Sequence, residues 1–272
     1  MKAISAKVQQ IQPDRNHPGG TQTLHRAASI VRLVASRNRP GMRLTDVVKF
    51  SGLQRPTAHR ILKGLIAEGL LAQDQESRLY SLGPLVFELG LAAAPHFNLC
   101  DICRPSLQRI ADKTEDTVFL SVRSGHDSVC IDRKEGSFPI KTLTLDVGER
   151  RPLGAGASGV AMLMPLPDEA VQEIVRANAI RLVGYYNLTV PALLEALEHS
   201  RSLGYAWNDA HLADGAATLG LPIINRYGHP FASITVGAII SRMTVARRTE
   251  IVSVLREEIA LTEKAVRSVN QP

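Results

Sequence analysis

"SGLQRPTAHRILKGLIAEGLL", residues 51–71, repeats apolar side chains at intervals of three and four: Ala58, Ile61, Leu62, Leu65 and Ile66. That period predicts a helix with one stripe turned to a core. The opposite face is polar and basic, with Arg55, Thr57, His59 and Arg60. Pro56 suits a first helical turn, where its missing N–H costs nothing, and Gly69 after Glu68 is a stop signal.

Working outward, "LTDVVKFSGL" (residues 44–53) predicts a short helix capped by Thr45, buried through Val47 and Val48 and closed by Ser51 and Gly52. Before it, "TQTLHRAASIVRLVASRNRPGM" carries Leu24, Ala27, Ala28, Val31 and Val34 at helical spacing, with Thr21 available as a cap and Pro40-Gly41 as the end. After it, residues 70–72 and 79–82 flank the polar turn 74–77 and read as a β-hairpin. Short helix, glycine turn, longer helix and hairpin together make a winged helix-turn-helix.

Charge agrees with that reading. The chain has 272 residues and a formal charge of +6, yet residues 1–83 hold 13 Lys and Arg against 5 Asp and Glu, and the remainder 19 against 21. A basic first part predicts a polyanionic partner, double-stranded DNA. Arg pairs with guanine in the major groove, and Thr or His can meet base edges, so Arg55, Thr57 and His59 are assigned to bases. Arg60, Lys63 and Arg78 are assigned to phosphates, with Thr21, Thr45 and Gln54 at the helix starts completing the DNA-facing set. The competing reading is a solvated basic face on a structural helix.

The rest of the chain changes character. Residues 1–20 read as a flexible polar leader without a signal-peptide core, and no run of about 18 apolar residues is present to span a bilayer. Three cysteines are too few for a secreted scaffold, which fits a cytoplasmic location. "PLVFELGLAAAP" (84–95) is an apolar helix, either buried or a dimer-forming connector. A helix over about 98–114 carries Leu99, Ile102, Leu107 and Ile110. "TVFLSV", "SVCIDR", "IKTLTL", "ATLGLPII" and "FASITVGA" then read as strands, with helices near 157–164, 168–177, 191–203 and 245–269. Interleaving of this kind favours an α+β domain.

Three stretches carry a resemblance: "RPTAHRILKGLIAEGLL"; "SVCIDRKEG" followed by "VGERRPLGAGASGVAML"; and "GYAWNDAHLADGAATLGLPIINRYGHPFASITVGA". In order and spacing they resemble the IclR family of bacterial transcriptional regulators, from about Thr21 to the end. The resemblance implies a winged helix at 21–83, a linker helix at 84–97 and an α+β effector-binding and oligomerisation domain at 98–272, similar to GAF and PAS sensors. It implies an effector-responsive regulator, repressor or activator, of a catabolic or metabolic operon, sensing a small organic acid and working as a homodimer or dimer of dimers. It implies effector contacts at Ala157, Ser158, Asn208, Thr218 and Thr235. None of these is charged, so a carboxylate would be held by backbone N–H groups and neutral donors rather than by an arginine clamp. Trp207 is read as structural, or else as a wall of the pocket favouring an aromatic acid. The chain departs from the family at Ala210-His211, where an acidic pair is usual, and at Thr218, where cysteine is common. A constitutive regulator with a degenerated pocket is one alternative reading.

Other chemistry competes for these residues. "GAGASG" (154–159) matches the G-x-G-x-x-G dinucleotide fingerprint, but the strand–helix setting that gives the fingerprint meaning is lacking, since Arg150-Arg151-Pro152 is a poor parallel strand. Small residues that let a ligand approach backbone N–H groups are the better account. Cys100 and Cys103 form a lone C-x-x-C without further metal ligands in view, and Cys130 reads as a strand core residue. Ser158 lacks a nucleophile elbow, and His126, His199, His211 and His229 share no local context with it. The expectation is no cofactor, no metal and no catalytic set; a metabolic enzyme that kept a helix-turn-helix is the alternative from another class.

Overall fold

The computed structural model describes residues 21–36, 41–93, 99–185, 188–209 and 215–269. Two units separate, one comprising the described residues up to 93 and the other those from 99 onward. Expectations for the leader, Pro40, residues 94–97 and the Ala210-His211 pair lie outside the described residues.

The first unit runs α1 (Gln22–Ala35), α2 (Leu44–Ser51), α3 (Arg55–Ala67), β1 (Leu71–Gln73), β2 (Tyr80–Leu82) and α4 (Pro84–Ala93). The stripe of α3 is buried as its spacing predicts, through Ala58, Ile61, Leu62 and Leu65. It meets Ile30, Leu33 and Val34 of α1, Val47 of α2, and Leu71 and Tyr80 of the hairpin. Gly69 ends the helix with φ +69°: its N–H donates to the carbonyl of Ile66 at 2.9 Å and that of Leu70 to Leu65 at 2.9 Å, the paired bonds of a Schellman stop. The hairpin gains a third short partner, because Met42 and Tyr80 exchange N–H···O bonds of 2.9 and 2.7 Å.

Two local expectations fail here. Leu24 is 71% exposed, since α1 buries only Ser29, Ile30, Leu33 and Val34 in its C-terminal half. Thr45 does not cap α2: it is the exposed second residue of the helix, and the Asp46 carboxylate takes the capping role by accepting the Arg43 N–H at 3.2 Å.

The second unit runs α5 (Leu99–Thr114), β3 (Thr117–Ser124), β4 (Asp127–Lys134), β5 (Arg150–Pro152), α6 (Gly156–Leu163), α7 (Asp168–Leu182), α8 (Val190–Leu203), β6 (Ala206–Asp209), β7 (Ala216–Ile224), β8 (Pro230–Ile239) and α9 (Val245–Val269). Its strands form one antiparallel sheet in the order β5-β4-β3-β8-β7-β6. Side chains alternate between the two faces with a period of two. Val118 and Leu120, Leu219 and Leu221, and Ile234 and Val236 point into a core with α5 and α9. Their neighbours Ser121, Thr218, Ser233 and Thr235 are small and polar and turn the other way. A second apolar cluster forms there among α6, α7 and α8, around Val160, Leu163, Ile174 and Leu193.

"IKTLTL" is not a strand. The edge of β4 that it would join is taken by β5, with Arg151 opposite Ser128, and residues 140–145 form a loop whose Leu145 packs on Phe119 and Cys130. The tripeptide judged a poor parallel strand is therefore a short antiparallel one at a sheet edge, where proline is tolerated.

Candidate DNA-binding face and ligand pocket

On α3, Arg55, His59, Arg60 and Lys63 are exposed, Thr57 is half-buried, and the helix has no acidic residue. At 100° per residue, Arg60 and Lys63 stand opposite the buried stripe, while Arg55 and Thr57 flank it in the first turn. Gln54 occupies the N-cap position without a side-chain cap bond. Thr21 and Thr45 are exposed at the starts of α1 and α2. Arg78 is exposed at the tip of the hairpin with φ +60°, a left-handed conformation that costs a non-glycine residue about 1–2 kcal/mol. Asp74 holds the turn: its carboxylate accepts the Ser77 N–H at 2.7 Å and the Ser77 hydroxyl at 2.6 Å. The hydroxyl bond, then the backbone one, keeps its pKa below the ordinary value. Exposed basic residues of the first unit thus include Arg55, Arg60 and Lys63 on a recognition-type helix and Arg78 on its wing, with Arg32, Arg43 and Lys49 exposed on α1, at the start of α2 and on α2.

The second unit contains a small cleft on the α6 side of the sheet. Ala157, Ser158, Asn208, Thr218 and Thr235 all line it. The α6 N-terminus forms one wall: Ala155 is the N-cap with no side-chain cap bond, so the first N–H groups of this wholly buried helix are left for whatever enters. Ser158 fastens that wall to the sheet. Its hydroxyl lies 3.3 Å from that of Ser121 and 3.5 Å from that of Thr235, and its carbonyl accepts the Ser233 hydroxyl at 3.2 Å. Ser158 is thus tied to hydroxyls and a neutral lattice of donors, not to an imidazole base.

The cleft also holds what sequence reading missed. Phe119 and Leu145 supply an apolar patch, Ser128 and Thr144 further hydroxyls, and Arg151 a charge. Arg150 and Arg151 diverge, as neighbours in a strand must. Arg150 donates to Asp127 at 2.9 Å, whereas Arg151 donates through Nε to Glu149 at 2.7 Å and through Nη2 to the Thr144 carbonyl. The expectation of an uncharged lining is therefore corrected. Strand alternation applied to "RRP" would have found it, had β5 been recognised.

Trp207 is not a pocket wall. It lies on the opposite face of β6 from Asn208, packed on the α9 core with the Arg248 guanidinium 4.5 Å from its ring centre. Cys103 and Cys130 are buried and Cys100 is half-buried; burial pushes the thiols of Cys103 and Cys130 up to about 12 and raises that of Cys100.

Both units match families of known proteins. Residues 23–75 match the IclR helix-turn-helix domain, and residues 91–260 match the model described as "Bacterial transcriptional regulator IclR C-terminal". The HTH-type transcriptional regulator KipR of Bacillus subtilis is 27% identical over 77% of this chain and 84% of its own length. The transcriptional repressor IclR of Escherichia coli is 28% identical over 85% of each chain. Among solved structures, an IclR homologue from Microbacterium hydrocarbonoxydans complexed with 4-hydroxybenzoate has the same fold, with a TM-score of 0.69 and 21% identity over 90% of this chain and 99% of that one. Among the described residues no helix is long and apolar enough to cross a membrane.

Proposed function

We propose a function from one premise: this chain belongs to the IclR family of bacterial transcriptional regulators, whose members bind DNA through the helix-turn-helix. In our reading residues 21–83 are the output, a winged helix on an operator; 84–97 link it to the input; and 98–272 sense a small organic acid in the cytoplasm. The regulated genes belong to a catabolic or metabolic operon, and the chain acts as a homodimer or dimer of dimers rather than as an enzyme. The observation that carries the sensor reading is the uncapped, buried N-terminus of α6 facing a cleft lined by hydroxyls, an amide and the Arg151 guanidinium. Such a wall favours an anion by its dipole and its free N–H groups. A solved homologue, the Microbacterium protein, is complexed with 4-hydroxybenzoate, which keeps an aromatic acid among the candidates.

A ligand changes operator binding only by its different affinity for two states of the protein, and operator changes ligand affinity by the same factor. A screen of small organic acids by thermal shift, followed by operator titration with and without each hit, tests the reading. An acid that raises the melting temperature and shifts operator affinity about 5- to 150-fold supports it. The variant Ser158→Trp, which fills the cleft and leaves the winged helix alone, should lose both effects. Normal response in that variant would move the sensor site elsewhere.

A further inference from the structure

The cleft has two places for negative charge. One is the N-terminus of α6; the other is Arg151, the single charged residue in the lining. Its side chain is 13% exposed. A guanidinium has five N–H donors in a planar fork. Nε and one hydrogen of Nη2 are used, on Glu149 and on the carbonyl of Thr144, itself a lining residue. Nη1 has no hydrogen bond among the described residues, and Nη2 keeps a second hydrogen, so donors of the fork remain for a ligand. The two bonds hold the plane of the fork while leaving donors for a carboxylate.

Glu149 matters for what that edge selects. Its carboxylate also accepts the Asp146 N–H at 3.0 Å, so it is anchored by the loop as well as by Arg151. It offsets the arginine's charge while the cleft holds solvent, and it lowers the affinity for any second carboxylate without removing the donors.

We propose that Arg151 is a specificity-determining residue and that the effector is a diacid, with one carboxylate on the α6 N–H groups and the other on the remaining Nη1 and Nη2 donors of Arg151. The inference rests on the reading of this cleft as the effector site. It names what that reading leaves open, a second acidic group rather than a lone one. The rest of the lining is hydroxyls, the Asn208 amide and apolar groups including Phe119, Leu145 and Ala216, which suit an aliphatic or aromatic spacer.

Calorimetric titration of the full-length protein with matched acids tests this: butanoate against succinate, pentanoate against glutarate, hexanoate against adipate and benzoate against terephthalate. The wild type should bind at least one diacid about tenfold or more tighter than its monoacid partner, as expected for charge-assisted hydrogen bonds to a fork. Arg151→Gln should bring that ratio close to one and leave the monoacid within about twofold. Glu149→Gln, which removes the competing charge, should tighten the diacid and not the monoacid; it carries the test if Arg151→Gln fails to fold. Monoacids preferred in all four pairs, no diacid bound, a ratio unchanged in Arg151→Gln, or a diacid no tighter in Glu149→Gln each overturns the proposal. Ser158→Trp separates the two readings. If monoacids bind the wild type and are lost in this variant while the ratio is flat, Arg151 is wrong and the cleft stands. If the variant binds acids as the wild type does, the cleft itself is wrong.

Discussion

A β-carbon placed on Gly159 would come 2.6 Å from the backbone nitrogen of Gly154, and one on Gly154 would come 2.4 Å from Cδ2 of Leu193. The first and last glycines of "GAGASG" therefore press the turn before α6 onto the helix itself and onto α8. Their spacing is that of a nucleotide fingerprint, but their service is close packing. Gly154 has φ +103° besides, a conformation that side chains rarely adopt. Gly154→Ala should cost about 2–3 kcal/mol through strain and overpacking, read by chemical denaturation. A variant as stable as the wild type would show that this turn relaxes freely.

Arg55 and Arg60 should separate in DNA binding. Once a cognate site is selected from random sequence, Arg55→Ala should cost about 1–3 kcal/mol there and relax preference at one position of each half-site. Arg60→Ala should weaken all sequences alike and flatten the salt dependence, since each phosphate contact adds about one counterion to the slope. Equal losses on cognate and random DNA for both variants would reject this division.

Helix α4 exposes Phe87 at 70%, Leu89 at 54% and Leu91 at 59%. Apolar side chains at such density invite a second copy of the chain, and two half-sites about 34–36 Å apart need two recognition helices. Sedimentation of the 29.6 kDa chain should show a dimer or larger species at micromolar concentration, and Phe87→Glu should shift it towards monomer and weaken operator binding. A wild-type monomer with and without DNA would defeat the dimer reading.

Acid should act on the second unit through Glu258. This carboxylate is 1% exposed on α9 and accepts three hydrogen bonds from Arg109 of α5, at 2.7, 2.9 and 3.0 Å. Those bonds hold its pKa below the ordinary 4.5. A lowered folded-state pKa contributes stability that is complete above the unfolded value and fades as pH falls through the folded one. Arg109→Leu should remove about 1–3 kcal/mol at neutral pH and start acid unfolding at a higher pH. Denaturant melts across the acid range that are parallel for both proteins would contradict the assignment.

Much of this architecture is written in periodicity. The stripe of α3, the paired strands β3 with β4 and β7 with β8, and α9 follow from spacing alone. Short edge strands do not: β5 and β6 are three and four residues long, too short to alternate visibly. "IKTLTL" alternates well and still forms a loop, because pairing depends on which edge is vacant, and no local pattern records that. The phase of α1 failed for a similar reason, since which turn meets the core is set by α2 and α3. Five cleft residues were reached by resemblance. Arg151, Phe119 and Ser128 were not, because only the register of the sheet brings positions so distant in the chain to one surface.

The same register has an evolutionary side. Leu120, Leu219 and Ile234 answer to α5 and α9, while Ser121, Thr218 and Thr235, each one residue away, answer to the cleft. On the sensor reading proposed above, selection on what is detected and selection on how the domain folds fall on alternate letters of the same strands. On that reading, a descendant would be retuned to a new metabolite by exchanging small polar residues on one side, with the apolar alphabet on the other left unread.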